Sequence, residues 1–198
     1  MNFPDVLVVM ALALESQGVL ERAGIAVLFT GVGKVNATYA LTRRLVEYRC
    51  AGLALPHVIN FGTAGSRRHP SGTLIECCAF IQRDMDVTGL GVALGTTPFE
   101  DIPAQIEFPA AFTQLPPGVC ASGDSFAMAA HAFEADVVDM EAYALAKVCW
   151  MERARYTCVK YVTDGADHAA GEDWHGNLHR AADEFLSLYQ QFEQRRNP

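Results

Sequence analysis

Hydrophobic and polar positions along the chain follow two periods in turn. Residues 6–12 form an almost unbroken apolar run, as expected of a strand covered on both faces. Residues 15–22 then leave room for one or two helical turns, and residues 26–30 read as a second strand ending in Gly31-Val32-Gly33. Over residues 35–48 apolar side chains recur near helical spacing (Ala40, Leu41, Leu45, Val46), which predicts a helix. Pro56 interrupts the chain, and residues 57–61 form a short strand running into Gly62-Thr63-Ala64-Gly65-Ser66. Residues 73–82 are a further strand candidate. Residues 84–117 are rich in Gly and Pro and carry no period, as long functional loops do. The remainder reads as strand 136–139, helix 141–153, strand 156–163 and a final amphipathic helix over 174–195. Strands alternating with covering helices predict a three-layer α/β/α sandwich around a mostly parallel mixed sheet. With no internal repeat, linker or low-complexity tract, residues 1–198 read as one domain.

Two of these strands end on acid. Val137-Val138-Asp139-Met140-Glu141-Ala142 and Val162-Thr163-Asp164-Gly165-Ala166-Asp167 each carry an apolar run into carboxylates where a helix or loop begins. Open α/β sheets place their ligands at the carboxyl ends of strands. A carboxylate left unpaired at a core edge is costly, so its delivery there implies something to bind. Glu15, just beyond the first strand, adds a third candidate. If the strands are parallel, the glycine-bearing turns 31–34 and 62–66 open on the same edge, where backbone N–H groups can approach a ligand closely. Any one of these glycines is explained by a tight turn. Several together, each after a strand, favour a cleft.

Composition narrows the setting. The 198 residues are 51% hydrophobic and 19% charged, with a formal net charge of -8. That acidity, without a Lys/Arg block, argues against a nucleic-acid or anionic-membrane partner. No apolar run approaches the roughly 18 residues needed to span a bilayer, and no basic start with a cleavage site precedes the first strand. A cytoplasmic protein is expected. The six cysteines form no CxxC pair and mostly sit in apolar runs, so they read as reduced, buried thiols.

The order of motifs resembles a known superfamily. Thr30-Gly31-Val32-Gly33-Lys34-Val35-Asn36-Ala37, Ile59-Asn60-Phe61-Gly62-Thr63-Ala64-Gly65, Ser122-Gly123-Asp124-Ser125-Phe126, and the two acidic turns are similar to those of the purine nucleoside phosphorylase superfamily. The resemblance is closest to its hydrolytic branch, the 5′-methylthioadenosine/S-adenosylhomocysteine nucleosidases, and spans residues 6–167. It implies Glu15 as the base that activates water and Asp164 as the group at purine N7. It further implies Glu141 gripping the ribose 2′- and 3′-hydroxyls with Met140 against the sugar, Phe126 packed on the base, and the Ala127 backbone reading the adenine edge. Thr63, Ala64, Gly65 and Val32 would line the base and sugar cleft. A small-molecule nucleoside substrate and a homodimer follow from the same resemblance, with no cofactor and no metal required.

Those residue types suit the chemistry. Cleaving a purine N-glycosidic bond builds positive charge on the sugar and negative charge on the departing base. A carboxylic acid at N7 neutralises the base if burial raises its pKa enough to keep a proton. A second carboxylate across the sugar takes a proton from water as it attacks, the division of labour used by inverting glycosidases.

Plainer roles stand beside each assignment. Glu15 fits a helix first turn favoured by the dipole, and Asp139 fits the N-cap of helix 141–153. Asp164 and Asp167 fit an Asx turn around Gly165, and Phe126 fits plain core. Gly31-x-Gly33-x-x-Asn36 lacks the third glycine of a dinucleotide fingerprint, and His175 with His179 reads as a surface pair on the last helix. Asp139 stands where the family usually has glutamate, and Ser66 where it has glycine. Two alternatives remain to hydrolysis. One is phosphorolysis, for which Arg67, Arg68 and Arg83 are the available cations although none lies in a matched motif. The other is a nucleoside-binding relative without catalysis.

Overall fold

The computed structural model describes residues 3–125, 134–165 and 170–196, with 170–177 described through the backbone. Eight strands form one sheet among these residues: β1 (Val6–Met10), β2 (Val27–Phe29), β3 (His57–Gly65), β4 (Leu74–Gln82), β5 (Gln105–Glu107), β6 (Pro117–Ser122), β7 (Val137–Asp139) and β8 (Tyr156–Asp164). The helices are α1 (Ala13–Ser16), α2 (Val19–Arg22), α3 (Lys34–Cys50), α4 (Ala142–Glu152) and α5 (Ala170–Arg196).

The two-residue period of the strands divides the interior into two cores. On one face Leu7 and Val9 of β1, Val58 of β3, and Tyr156 and Cys158 of β8 pack with Leu41 and Leu45 of α3 and Leu145 of α4. On the other, Val6, Val8 and Met10, Ile59 and Phe61, and Val159 and Tyr161 meet Leu20 of α2 and Phe185 of α5. Phe61 and Phe185 stack with ring centroids 5.0 Å apart. β1, β3 and β8 are thus strands buried on both sides, as a three-layer arrangement requires.

Direction along the sheet is divided. β1, β2, β3 and β8 run parallel to one another, and β4, β6 and β7 form a second parallel group running the opposite way. β2 and β3 run the same way, so the glycine-bearing segments at their ends open on one edge, whereas the acidic turn after β7 arrives from the oppositely directed group. β8 pairs with both β3 and β4, and β7 reaches β3 through the single pair Gly65–Val138. Strands β3, β7, β6, β4 and β8 consequently close a ring. At the Gly65–Val138 pair, the carboxyl ends of the two groups face each other.

Several stretches depart from the sequence pattern. Residues 62–65, read as a turn, belong to β3, because strand pairing with β8 continues through all four. β5 and β6 lie where no strand was predicted. Glycine and proline hide them from a periodicity reading, while the pairing of each with β4 supplies the ladder. The helical turns expected after β1 are two, divided by Gln17 and Gly18, both left-handed, while α5 begins earlier than expected, at Ala170. Cys77, Cys120, Cys149 and Cys158 are buried free thiols, with Cys78 half-buried and Cys50 exposed.

The irregular stretch before β6 is held by one buried acid. Glu76 of β4 accepts the Ala111 and Phe112 backbone N–H groups at 2.6 and 2.9 Å, seating Phe112 fully in the core. Glu76→Ala leaves two buried amides unpaired and is expected to cost roughly 2–5 kcal/mol in urea denaturation. Glu76→Gln, which keeps one acceptor oxygen, should fall between that variant and the parent protein.

Candidate active site

The turn from β1 into α1 fixes Glu15. Its Oε2 accepts the Leu12 N–H at 3.0 Å, the reciprocal bond of a helix first turn. Its Oε1 accepts both the N–H and the hydroxyl of Thr63 on β3, each at 2.9 Å. The helix role is therefore real, and the same carboxylate is also tied across to β3. Gly62 makes that approach possible. A Cβ there would lie 2.9 Å from Lys160 Nζ and 3.6 Å from Glu15 Oε1. The glycine serves close packing within a strand, not turn formation.

Lys160 is the residue that periodicity passed over. It projects from β8 with 2% of its side chain exposed and pairs with Asp139 Oδ2 at 2.9 Å. Asp139 also accepts the Ser122 hydroxyl through Oδ1 and the Ala142 N–H through Oδ2, while the Tyr143 N–H donates to Ser122 Oγ. Two orphan amides of α4 are thereby satisfied. The N-cap position itself belongs to Glu141, so the N-cap expectation for Asp139 is corrected: it bonds the first turn from below while neutralising a buried ammonium. Burial opposes charge on both groups, yet each holds the other ionised. The Lys160 pKa stays well above its usual value and that of Asp139 below. A lone lysine inside the apolar run 156–163 was the available signal, since buried lysines are almost always paired.

Glu141 follows β7 and is 8% exposed. Its Oε1 accepts the Gly33 N–H at 2.7 Å. Burial, reinforced by the Asp139 charge, pushes its carboxyl up to about 7, against the opposing pull of Lys160 and the Gly33 amide. Asp164 ends β8, is 5% exposed, and accepts the Thr163 hydroxyl at 2.8 Å. Its backbone carbonyl takes the Ser66 N–H at 2.9 Å, so the residues after β3 fasten the end of β8.

A cavity of about 230 Å³ lies where these elements meet. Glu15, Glu141 and Asp164 all line it, as do Val32, Thr63, Ala64, Gly65 and Met140. The wall also includes Ala11, Leu12, Ser125, Val138, Asp139 and Thr163, none of which was singled out as a site residue from sequence. Phe126, Ala127 and Asp167 lie outside the described residues, as does the side chain of His175; His179 is exposed. Arg67, Arg68 and Arg83 are not on the wall. Arg68 pairs with Glu134 and Asp136, and Arg83 bonds the Gly123 and Ser125 carbonyls. Among the described residues no group of three or more His, Cys, Asp or Glu side chains is placed to hold a metal ion, and no helix is long and apolar enough to cross a membrane.

A mixed sheet flanked by helices, with a cavity at its facing strand ends, is a nucleoside phosphorylase-like fold. The sequence model of the phosphorylase superfamily matches residues 15–192, and the chain belongs to that family. A 5′-methylthioadenosine/S-adenosylhomocysteine nucleosidase of Marinomonas sp. is 28% identical over 88% of this chain and 82% of its own. Two solved Helicobacter pylori structures share the fold. One is a nucleosidase of the same name in complex with a substituted pyrrolidin-3-ol, with TM-score 0.83, 22% identity, and coverage of 96% of this chain and 97% of that one. The other is a futalosine hydrolase with TM-score 0.83, 21% identity and the same coverage.

Two stability measurements probe the charges beneath the cavity. Lys160→Met strands a buried carboxylate and is expected to cost about 3–5 kcal/mol, whereas Lys160→Met combined with Asp139→Asn should cost less than the two single changes summed. Urea denaturation of the four proteins reads this coupling. For Glu141, a folded pKa near 7 against 4.5 unfolded means the folded state binds the extra proton between those values. Its contribution to stability is complete below about pH 4.5 and is lost as pH rises through 7. Glu141→Gln should therefore gain stability relative to the parent above pH 7, by up to roughly 3 kcal/mol, with the difference closing near pH 4.5.

Proposed function

We propose that this protein hydrolyses the N-glycosidic bond of an adenine nucleoside, 5′-methylthioadenosine, S-adenosylhomocysteine or a related compound. The observation that carries this reading is the convergence of Glu15, Glu141 and Asp164, from three separate elements, on one cavity. The names borne by the relatives support it.

Each carboxylate has a distinct task. Ionised Glu141 accepts the ribose 2′- and 3′-hydroxyls, holding the ring beside a negative charge that favours the developing oxocarbenium. Asp164 donates a proton toward purine N7 as the bond from the sugar to N9 breaks, so the base departs neutral. Glu15, anchored by Thr63 and Leu12, takes a proton from water as its oxygen bonds to the anomeric carbon. Met140 packs on the sugar, while Val32 and the 63–65 segment shape the cleft. Hydrolysis is preferred to phosphorolysis because no arginine lines the cavity among the described residues, and Glu15 would repel a phosphate dianion.

We extend the reading to a homodimer. Val35 and Tyr39 of α3 and Met151 of α4 are 78%, 68% and 64% exposed, an apolar surface suited to a second copy. Light scattering should give twice the chain mass; a monomer refutes this part.

Free base should be released at full rate in phosphate-free buffer, and added phosphate should yield no sugar 1-phosphate. Glu15→Gln and Asp164→Asn are each expected to lower turnover by at least ~10²-fold with the fold intact by circular dichroism. Unchanged turnover in both overturns the assignment. Chromatography over a panel that includes 5′-methylthioadenosine, S-adenosylhomocysteine, futalosine and inosine identifies the preferred nucleoside.

A further inference from the structure

One polar cluster beside the cavity is absent from the scheme above. Lys34, the first residue of α3, places Nζ 2.6 Å from Asp84 Oδ2 and 3.3 Å from Asp124 Oδ2. The Lys34 backbone N–H also donates to Asp124 Oδ1 at 2.8 Å, and the Asp124 N–H donates to Asp84 Oδ2 at 2.9 Å. Asp84 follows β4 and Asp124 follows β6. One ammonium therefore fastens three chain segments, and the bond between Asp124 and Asp84 closes the set.

The residue before Lys34 donates the N–H that Glu141 accepts. Gly33 has φ of +92°, a conformation that L side chains rarely adopt, and a Cβ there would lie 3.2 Å from Asp124 Oδ1. The turn carrying this amide is thus pressed against the cluster with no side chain between them. Val32 in the same turn and Ser125 next to Asp124 both line the cavity.

We infer that Lys34, through Asp84 and Asp124, is a positioning residue for Glu141, holding the Gly33 amide on the carboxylate that receives the ribose hydroxyls. This rests on the proposed nucleosidase reading for its consequence in turnover, but not for its geometry. The groups facing Glu141 are Asp139 from β7, Lys160 from β8, Glu15 from α1 and the Gly33 amide from the start of α3. Only the last depends on Lys34. The amide favours ionised Glu141, so its loss drives the carboxyl further up from about 7.

The test compares the parent protein with Lys34→Met and Lys34→Arg. Nuclear magnetic resonance of ¹³C-glutamate-labelled protein, with Glu141→Gln to assign the signal, titrates Glu141 without requiring catalysis. Lys34→Met should raise the Glu141 midpoint by about 0.5 unit or more, and Lys34→Arg, which can reach both aspartates, should restore it. If the proposed activity is also present, the rise of kcat with pH should move upward by the same interval and kcat at neutral pH should fall about 2-fold or more. An unmoved Glu141 midpoint in Lys34→Met overturns the inference, even if the melting temperature drops. Should Lys34→Met fail to fold, Asp84→Asn, which keeps an acceptor but removes a charge, provides the same titration. A shifted midpoint in a protein that releases no base from any nucleoside defeats the functional reading and leaves this one standing.

Discussion

The site depends on a single buried ammonium. Asp139, Glu141, Glu15 and Asp164 crowd around one cavity, and such a concentration of acid repels itself in a poorly solvated interior. Lys160 lies beneath them, paired directly with Asp139 and close enough to Glu15 that the intervening position on β3 has no space for a methyl group. With Asp139 neutralised, its oxygens can organise the start of α4, and the residue capping that helix is Glu141 itself. The carboxylate that faces the sugar in the proposed reaction is thus fixed by a charge pair it does not join.

The division of the sheet into two oppositely directed groups explains how acids so distant along the chain come together. Glu15 follows a strand of one group, Glu141 follows a strand of the other, and Asp164 ends a strand of the first. In a single parallel sheet, strand termini form a row along one edge. Here two sets of termini face each other, so side chains can surround a small molecule.

Much of this was legible in the sequence because buried strands and the helices that cover them leave periodic signatures. The runs 6–12 and 156–163 and the helix over 35–48 correspond to elements with nearly those bounds, and the acids just past the two runs, Glu15 and Asp164, reach one cavity. What escaped had physical causes. β6 carries Gly118, Val119 and Cys120 amid turn-forming neighbours, and its identity comes from pairing with β4 and β7, a non-local fact. Residues 62–65 look like a turn because glycines are common there, whereas in this fold the missing side chain at Gly62 makes room for a charge from the adjacent strand. Lys160 went unnoticed because apolar patterning treats an isolated cation as noise. Its partner lies 21 positions earlier, on a strand from the opposite group.

The ring of strands is unevenly tied. β3 and β8 pair along nearly their whole lengths, but β3 and β7 share only Gly65 and Val138. Both of those residues belong to the cavity wall. A closed barrel resists deformation through its ladders, so any local opening concentrates where the fewest rungs must part. The cavity occupies that least-tied joint, between the two cores.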